Sequence, residues 1–140
     1  MSWYLCTIAS KSKENWKLCK ESNTWGIITS SGYSSGDRAR KGDRLLFWLG
    51  GTGYVGHGEV GEDTRRPLSN SEVPWQGGQE RFGLVVPING ITEFASPIFL
   101  KFSNRKQEGT NIDQSLFQRG FMPINDSSAD AVLNFSLKID

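Results

Sequence analysis

The sequence predicts an α+β fold, a curved and mostly antiparallel β-sheet or barrel flanked by a few short helices. Two observations carry this. Five Trp, eight Phe and three Tyr accompany sixteen Gly in 140 residues, an aromatic and glycine-rich mixture typical of small β-rich domains with tight turns. Strand-like runs follow one another with few helical stretches between them, which is the α+β pattern.

The elements follow in order. Trp3–Ile8 (WYLCTI) alternates and is rich in strand formers, so it reads as a first strand. Ser10 or Ser12 can cap a helix over residues 13–21, where Glu14 suits the dipole and Trp16, Cys19 and Lys20 fall at i, i+3 and i+4. The helix is expected to end by Ser22, leaving Trp25 in an irregular exit, NTWG. Residues 30–36 (SSGYSSG) are a loop by composition. Arg44–Leu49 and residues 54–60 flank GGTG as a hairpin, with Gly50, Gly51 and Gly53 supplying positive φ and Gly56 and Gly58 marking a bulge or a close backbone approach. Residues 64–79, with Pro67, Pro74 and Gly77–Gly78, form a long connection around Trp75; loops of this length are often functional. Residues 81–88 (RFGLVVPI) read as a strand ended at Pro87, 97–102 as another strand, 104–110 as loop, 112–117 as a short helix, and 132–139 (VLNFSLKI) as a final strand by alternation.

No repeat or low-complexity linker divides the chain, so a single domain over residues 1–140 is expected, complete or excised from a larger protein. With 36% hydrophobic and 22% charged residues and no long apolar run, the composition is that of a soluble globular protein without a membrane span. The N-terminus has no basic segment leading into an apolar core, so a cytoplasmic protein is expected. Cys6 and Cys19 belong to no CxxC or Cys/His cluster and read as free buried thiols; with one histidine, His57, a zinc site is not expected. No metal or cofactor is predicted. A net charge of +1 argues against a globally basic nucleic-acid binder, although the clustering of Lys and Arg leaves room for a local positive face.

Motifs for catalysis are absent: there is no GxSxG, HExxH, P-loop or GxGxxG at a strand-to-helix junction. GGTGYVG is followed by no Lys-Ser or Lys-Thr. His57 with Glu59 or Asp63 could be a lone general base, but a solvated polar strand face explains His57 and Glu59 equally well. The aromatics are more informative. Trp3 and Trp16 lie on periodic elements and read as core, and Trp48 could face either core or pocket. Trp25 and Trp75 lie in irregular segments, where two ring faces can sandwich a nucleobase for about 1–3 kcal/mol per stack. Asn15, one turn inside the helix, carries a donor and an acceptor that could read a base edge, although a solvent-facing role suits it as well.

Taken together, WYLCTI, KENW with Asn15, NTWG, KGDRLLFWLGGTGYVGHGEV, the Trp75 loop before RFGLVVPI, and LFQRGFMPI resemble the EVE domain, a relative of the YTH domain within the PUA-like superfamily. The resemblance covers residues 3–124. It implies a non-enzymatic domain that flips a modified base (5-methylcytosine, 5-hydroxymethylcytosine or N6-methyladenine) into an aromatic cage, in a restriction or defence system and with a nuclease or ATPase as partner or fused domain. On this pattern Trp25 and Trp75 are the cage, and Asn15 and the Gly26 backbone read the edge. Trp48 or Tyr54 would close the pocket, while Lys11, Arg38, Arg40, Lys41, Arg65 and Arg66 hold phosphates. YTH domains usually carry serine where this chain has Gly26, which weakens the expectation of adenine specificity, and the LFWL strand and SSGYSSG loop look more EVE-like than YTH-like, which shifts the expectation toward a modified cytosine or other modified DNA base. The alternative is an RNA-binding PUA-like module.

Overall fold

A computed structural model describes residues 1–28 and 39–139. The predicted SSGYSSG loop and Arg38 lie outside the described residues. Six strands make one sheet in the order β2-β5-β4-β3-β1-β8, formed by β1 (Trp3–Ile8), β2 (Thr24–Ile28), β3 (Arg44–Leu49), β4 (Gly53–Val60), β5 (Phe82–Ile98) and β8 (Phe121–Ile124). A two-stranded ribbon, β6 (Phe102–Ser103) with β7 (Lys106–Gln107), stands apart. The helices are α1 (Glu14–Ser22), α2 (Gly78–Arg81) and α3 (Asp126–Ile139). Among the described residues only the β1–β3 pairing is parallel, so the predicted α+β class with a curled, mostly antiparallel sheet is what the chain adopts. None of these helices is long and apolar enough to cross a membrane.

The sheet curls because β5 serves two partners. Its first part pairs with β2 and its second, from Ile88 onward, with β4. The predicted stop at Pro87 is therefore wrong. Pro87 pairs with Thr24 at a point where Ile88 N–H already bonds Asn23 C=O (2.8 Å), and its own carbonyl turns the other way to accept from Gly61 N–H (2.9 Å). At such a non-hydrogen-bonded position the missing N–H breaks no bond to β2; it faces Gly61, just past the end of β4. The predicted strand over 97–102 is likewise divided: β5 ends at Ile98 and β6 begins at Phe102.

Other expectations are corrected locally. Ser10–Ser12 form a 3-10 turn, and α1 starts at Glu14 behind Lys13 with no side-chain cap. Asn23 in the left-handed region (φ 54°) ends α1 through N–H to Cys19 C=O, and the chain enters β2 at once, so Trp25 stands on a strand and not in an irregular exit. The predicted hairpin forms, but Gly51 and Gly53 alone of its three turn glycines have positive φ. Gly56 meets the expected close approach: a Cβ there would lie 2.6 Å from Thr92 O. The short helix expected near 112–117 is a 3-10 turn at Gln114–Gln118. The final predicted strand is instead α3, whose buried Ala129, Val132 and Ser136 recur at helical spacing; the alternation of VLNFSLKI suited either period.

Two apolar clusters lie on the two faces of the sheet, since alternate residues of β1 divide between them. One gathers Tyr4, Cys6, Ile8, Trp16, Trp25, Phe47, Trp75 and Phe82; the other gathers Trp3, Leu5, Trp48, Tyr54, Phe94 and Ile98 with Ala129 and Val132 of α3. Cys6 and Cys19 are free and buried, and burial pushes the Cys19 thiol up to about 12 and Cys6 upward as well.

Candidate nucleobase pocket

The edge strands of the curled sheet, β2 and β8, leave a seam. A cavity of about 350 Å³ opens there, lined by the end of β1 (Thr7, Ile8), by Lys11, Ser12 and Asn15, by Trp25–Ile28 of β2, by Trp75, Arg81 and Phe82, and by residues 118–121 leading into β8. Thr7 extends the β1–β8 pairing at the cavity's edge: its N–H donates to Gly120 C=O (3.0 Å) and its Oγ1 accepts from Gly120 N–H (3.1 Å).

Four predicted base-binding residues meet at this cavity: Trp25, Trp75, Asn15 and Gly26. The two tryptophans form walls but are not freely exposed, at 7% and 5%. Trp25 leans on Phe47 (centroids 5.9 Å apart) and Trp75 on Phe82 (5.3 Å), and among the described residues no ring contact joins the two indoles. Trp25 Nε1–H is buried without a described acceptor, whereas Trp75 Nε1–H donates to the Asn15 carbonyl (3.4 Å). The Asn15 side chain makes no hydrogen bond to a described residue. Gly26 is the floor under Trp75: a Cβ would lie 2.7 Å from its Cζ3 and 2.8 Å from Phe82 Cδ1.

Strand register directs the Gly26 backbone outward. Val85, its partner on β5, spends both peptide groups on Arg65 (N–H to O 2.7 Å and O from N–H 3.0 Å), which makes Gly26–Val85 a non-hydrogen-bonded pair. The N–H and C=O of Gly26 therefore point away from β5, toward the open side of the edge strand, where an unpaired strand offers polar groups.

Trp48 and Tyr54 are not at this cavity. They belong to the cluster on the opposite face, where Trp48 packs edge-on against Tyr54 and Phe117 and the fully buried Tyr54 hydroxyl donates to Gln107 Oε1. Burial pushes the Tyr54 phenol above its ordinary value. Alternation along β3 and the irregularity at Phe47/Trp48 decide this placement, and a register break is not visible in a string of residues.

Of the predicted phosphate contacts among the described residues, only Lys11 lines the cavity. Arg40 sits 3.6 Å from Asp63, whose carboxylate also accepts from Lys41 N–H, and Arg66 is exposed elsewhere. Arg65 is committed to Glu72, its guanidinium donating from Nη1 (3.0 Å) and Nη2 (2.7 Å). Glu72 also accepts from Leu68 N–H (2.6 Å), and its backbone carbonyl accepts from Thr24 Oγ1 (3.1 Å), so this fork moors the Trp75 loop to β2. The cations that sequence reading missed are Arg81, over the Phe82 ring at 5.3 Å, and Arg119, both exposed at the cavity rim. They stand beside the strands RFGLVVPI and FMPI, where a lone cation reads as ordinary surface.

The fork carries a pH signature. The Arg65 guanidinium, aided by Leu68 N–H, holds the Glu72 carboxyl down at about 2. Because the folded value lies below the unfolded one, its contribution is fully present above about pH 4.5 and fades as pH falls toward 2. Glu72→Gln is expected to remove about 1 kcal/mol at neutral pH and to flatten that acid limb, checked by denaturation at pH 7 and pH 3.

The architecture places the chain in a fold class: it has an α+β, PUA-like fold of the EVE- and YTH-like kind. No family model matches the chain, and no curated protein matches it by sequence. Among solved structures it is similar to a hypothetical protein from Leishmania major (15% identity, 99% of this chain and 96% of that one, TM-score 0.64). It is also similar to human THYN1, solved with 5-methylcytosine-containing DNA (13% identity, 97% and 98%, TM-score 0.61). The YTH domain-containing protein Mmi1, solved with RNA, is a further likeness (12% identity, 96% and 80%, TM-score 0.53). At these identities the likeness establishes the fold.

Proposed function

We propose that residues 1–140 form one non-catalytic reader domain that takes a modified base of a nucleic acid out of its stack and holds it between Trp25 and Trp75. The observation that supports this most is the convergence of Trp25, Trp75, Asn15 and Gly26, from three separated segments, on one cavity of about 350 Å³. That volume lies within the usual range for a specific small-ligand site. Extruding a base costs a few kcal/mol, and two aromatic walls at about 1–3 kcal/mol each offset it. The Asn15 amide and the outward peptide groups of Gly26 supply donors and acceptors for the base edge. Lys11, Arg81 and Arg119 hold flanking phosphates, which positions the strand without reading sequence. Breaking a bond is left to a nuclease or ATPase, fused or separate, in a cytoplasmic restriction or defence system.

DNA carrying 5-methylcytosine or 5-hydroxymethylcytosine is the preferred ligand and N6-methyladenine the next, in keeping with the 5-methylcytosine DNA held by human THYN1. The RNA bound by Mmi1 supports modified RNA as the second reading, and preference for RNA over DNA of the same sequence would select it, because only RNA presents a 2′-OH. A hydrolase based on His57 and Glu59 is disfavoured, since the imidazole faces Arg44 on the other side of the sheet. The test is affinity for matched oligonucleotides with and without each modification. Tighter binding to one modified strand is expected, and equal, weak binding to all would overturn the proposal. Three phosphate contacts also predict that log K falls against log salt with a slope of about −2.7 on duplex DNA and about −2 on a single strand.

A further inference from the structure

On the face of the sheet opposite the tryptophan cavity, a cleft of about 260 Å³ lies between the first residue of β3 and the bend of β5. Arg44 dominates it. Its guanidinium sits 4.9 Å over the Trp3 ring, its Nε is buried without a described acceptor, and Nη2 lies 3.3 Å from His57 Nδ1. Guanidinium nitrogens only donate, so Nδ1 accepts and the neutral imidazole keeps its proton on Nε2. Burial and the Arg44 charge both lower the His57 pKa, which favours that neutral form. Glu59 is the cross-strand partner of Arg44, yet the two form no ion pair: the guanidinium turns to Trp3 and His57 instead. Asn89 and Thr92 complete the lining with an amide and a hydroxyl.

We propose that this cleft is a second binding site, for a phosphate-class oxyanion, held by Arg44 with His57, Asn89 and Thr92. A half-buried guanidinium without a carboxylate partner among the described residues, stacked on an aromatic ring and flanked by neutral donors, suits the fork geometry of a phosphate better than it suits bulk water. The site is independent of the tryptophan cavity, because it uses the other face and none of the same side chains. Glu59, exposed at the rim, opposes an anion and tunes the affinity downward.

His57 is the single histidine of the chain, so its imidazole resonances report on this cleft alone. Titration of the full chain with inorganic phosphate is expected to shift the His57 and Arg44 Nε–H signals saturably. Arg44→Gln should weaken that binding about tenfold or more, the worth of a charge-assisted hydrogen bond, and Glu59→Gln should tighten it. Arg44→Lys, which keeps the charge and the stem over Trp3, serves if the glutamine variant fails to fold, and should also weaken binding because the fork is lost. A parallel titration with an unmodified oligonucleotide separates the sources. A His57 response at lower concentration than with phosphate assigns the site to a nucleic-acid backbone, and a response to phosphate alone assigns it to a free oxyanion. Absence of a saturable His57 shift with either probe, or unchanged phosphate affinity in both Arg44 variants, would overturn the proposal.

Discussion

Trp25→Ala is expected to cost about 3–5 kcal/mol of folding stability, the usual penalty for emptying a packed tryptophan site. The ring is 7% exposed and wedged beside Phe47 in the larger core cluster, even though one of its faces lines the cavity. Against a total stability of about 5–15 kcal/mol for a domain of this kind, the loss is a large share. Chemical denaturation measures it, and a loss under about 1 kcal/mol would contradict the packing described. The alanine variant therefore cannot report on ligand binding, because a partly unfolded pocket binds nothing. Trp25→Phe is the informative change. The indole N–H has no described acceptor, so phenylalanine keeps an aromatic wall and forfeits no described hydrogen bond. Folding should suffer clearly less than in the alanine variant. A fall in modified-base affinity of up to about tenfold would assign the indole N–H to the ligand.

Gly26→Ala is expected to destabilise by about 1–3 kcal/mol through overpacking and to displace the Trp75 ring, with loss of modified-base binding. The added Cβ would come within 2.9 Å of two Trp75 ring carbons and of Phe82 Cδ1, closer than real contacts allow. Serine would meet the same obstacle, so this chain cannot combine a serine at this position with the present seat of Trp75. The penalty should shrink in a Trp75→Ala background, because two of the three close contacts vanish, and a double-mutant cycle measures the coupling. Additive effects of Gly26→Ala and Trp75→Ala would show that the ring does not rest on the glycine.

Local chemistry was readable from residues alone where neighbours in sequence are also neighbours in space. The first strand, the first helix and the hairpin needed only alternation, helical spacing and a glycine turn, and the order of NTWG, hairpin and Trp75 loop singled out the two tryptophans that line one cavity. Errors arose where a partner distant in sequence decides. Pro87 looks like a strand breaker until its missing N–H is seen to face away from β2, so that the pairing with β2 loses no hydrogen bond. Trp48 and Tyr54 look like pocket residues until the pleat and its register shift turn them to the other face. Arg65 looks like a phosphate contact until Glu72, seven residues on, claims it.

The sequence by itself determined the α+β class, the burial of Trp3 and Trp16 and the candidacy of Trp25, Trp75 and Asn15, because side-chain chemistry and short-range periodicity express these directly. Tertiary structure alone decided that β2 and β8 remain as the edges of the curled sheet, that the cavity lies in the seam between them, and that Arg81 and Arg119 stand at its rim. The physical reason is strand register: moving a strand by one residue exchanges its two faces, and which edges stay open depends on pairings between residues far apart in the chain.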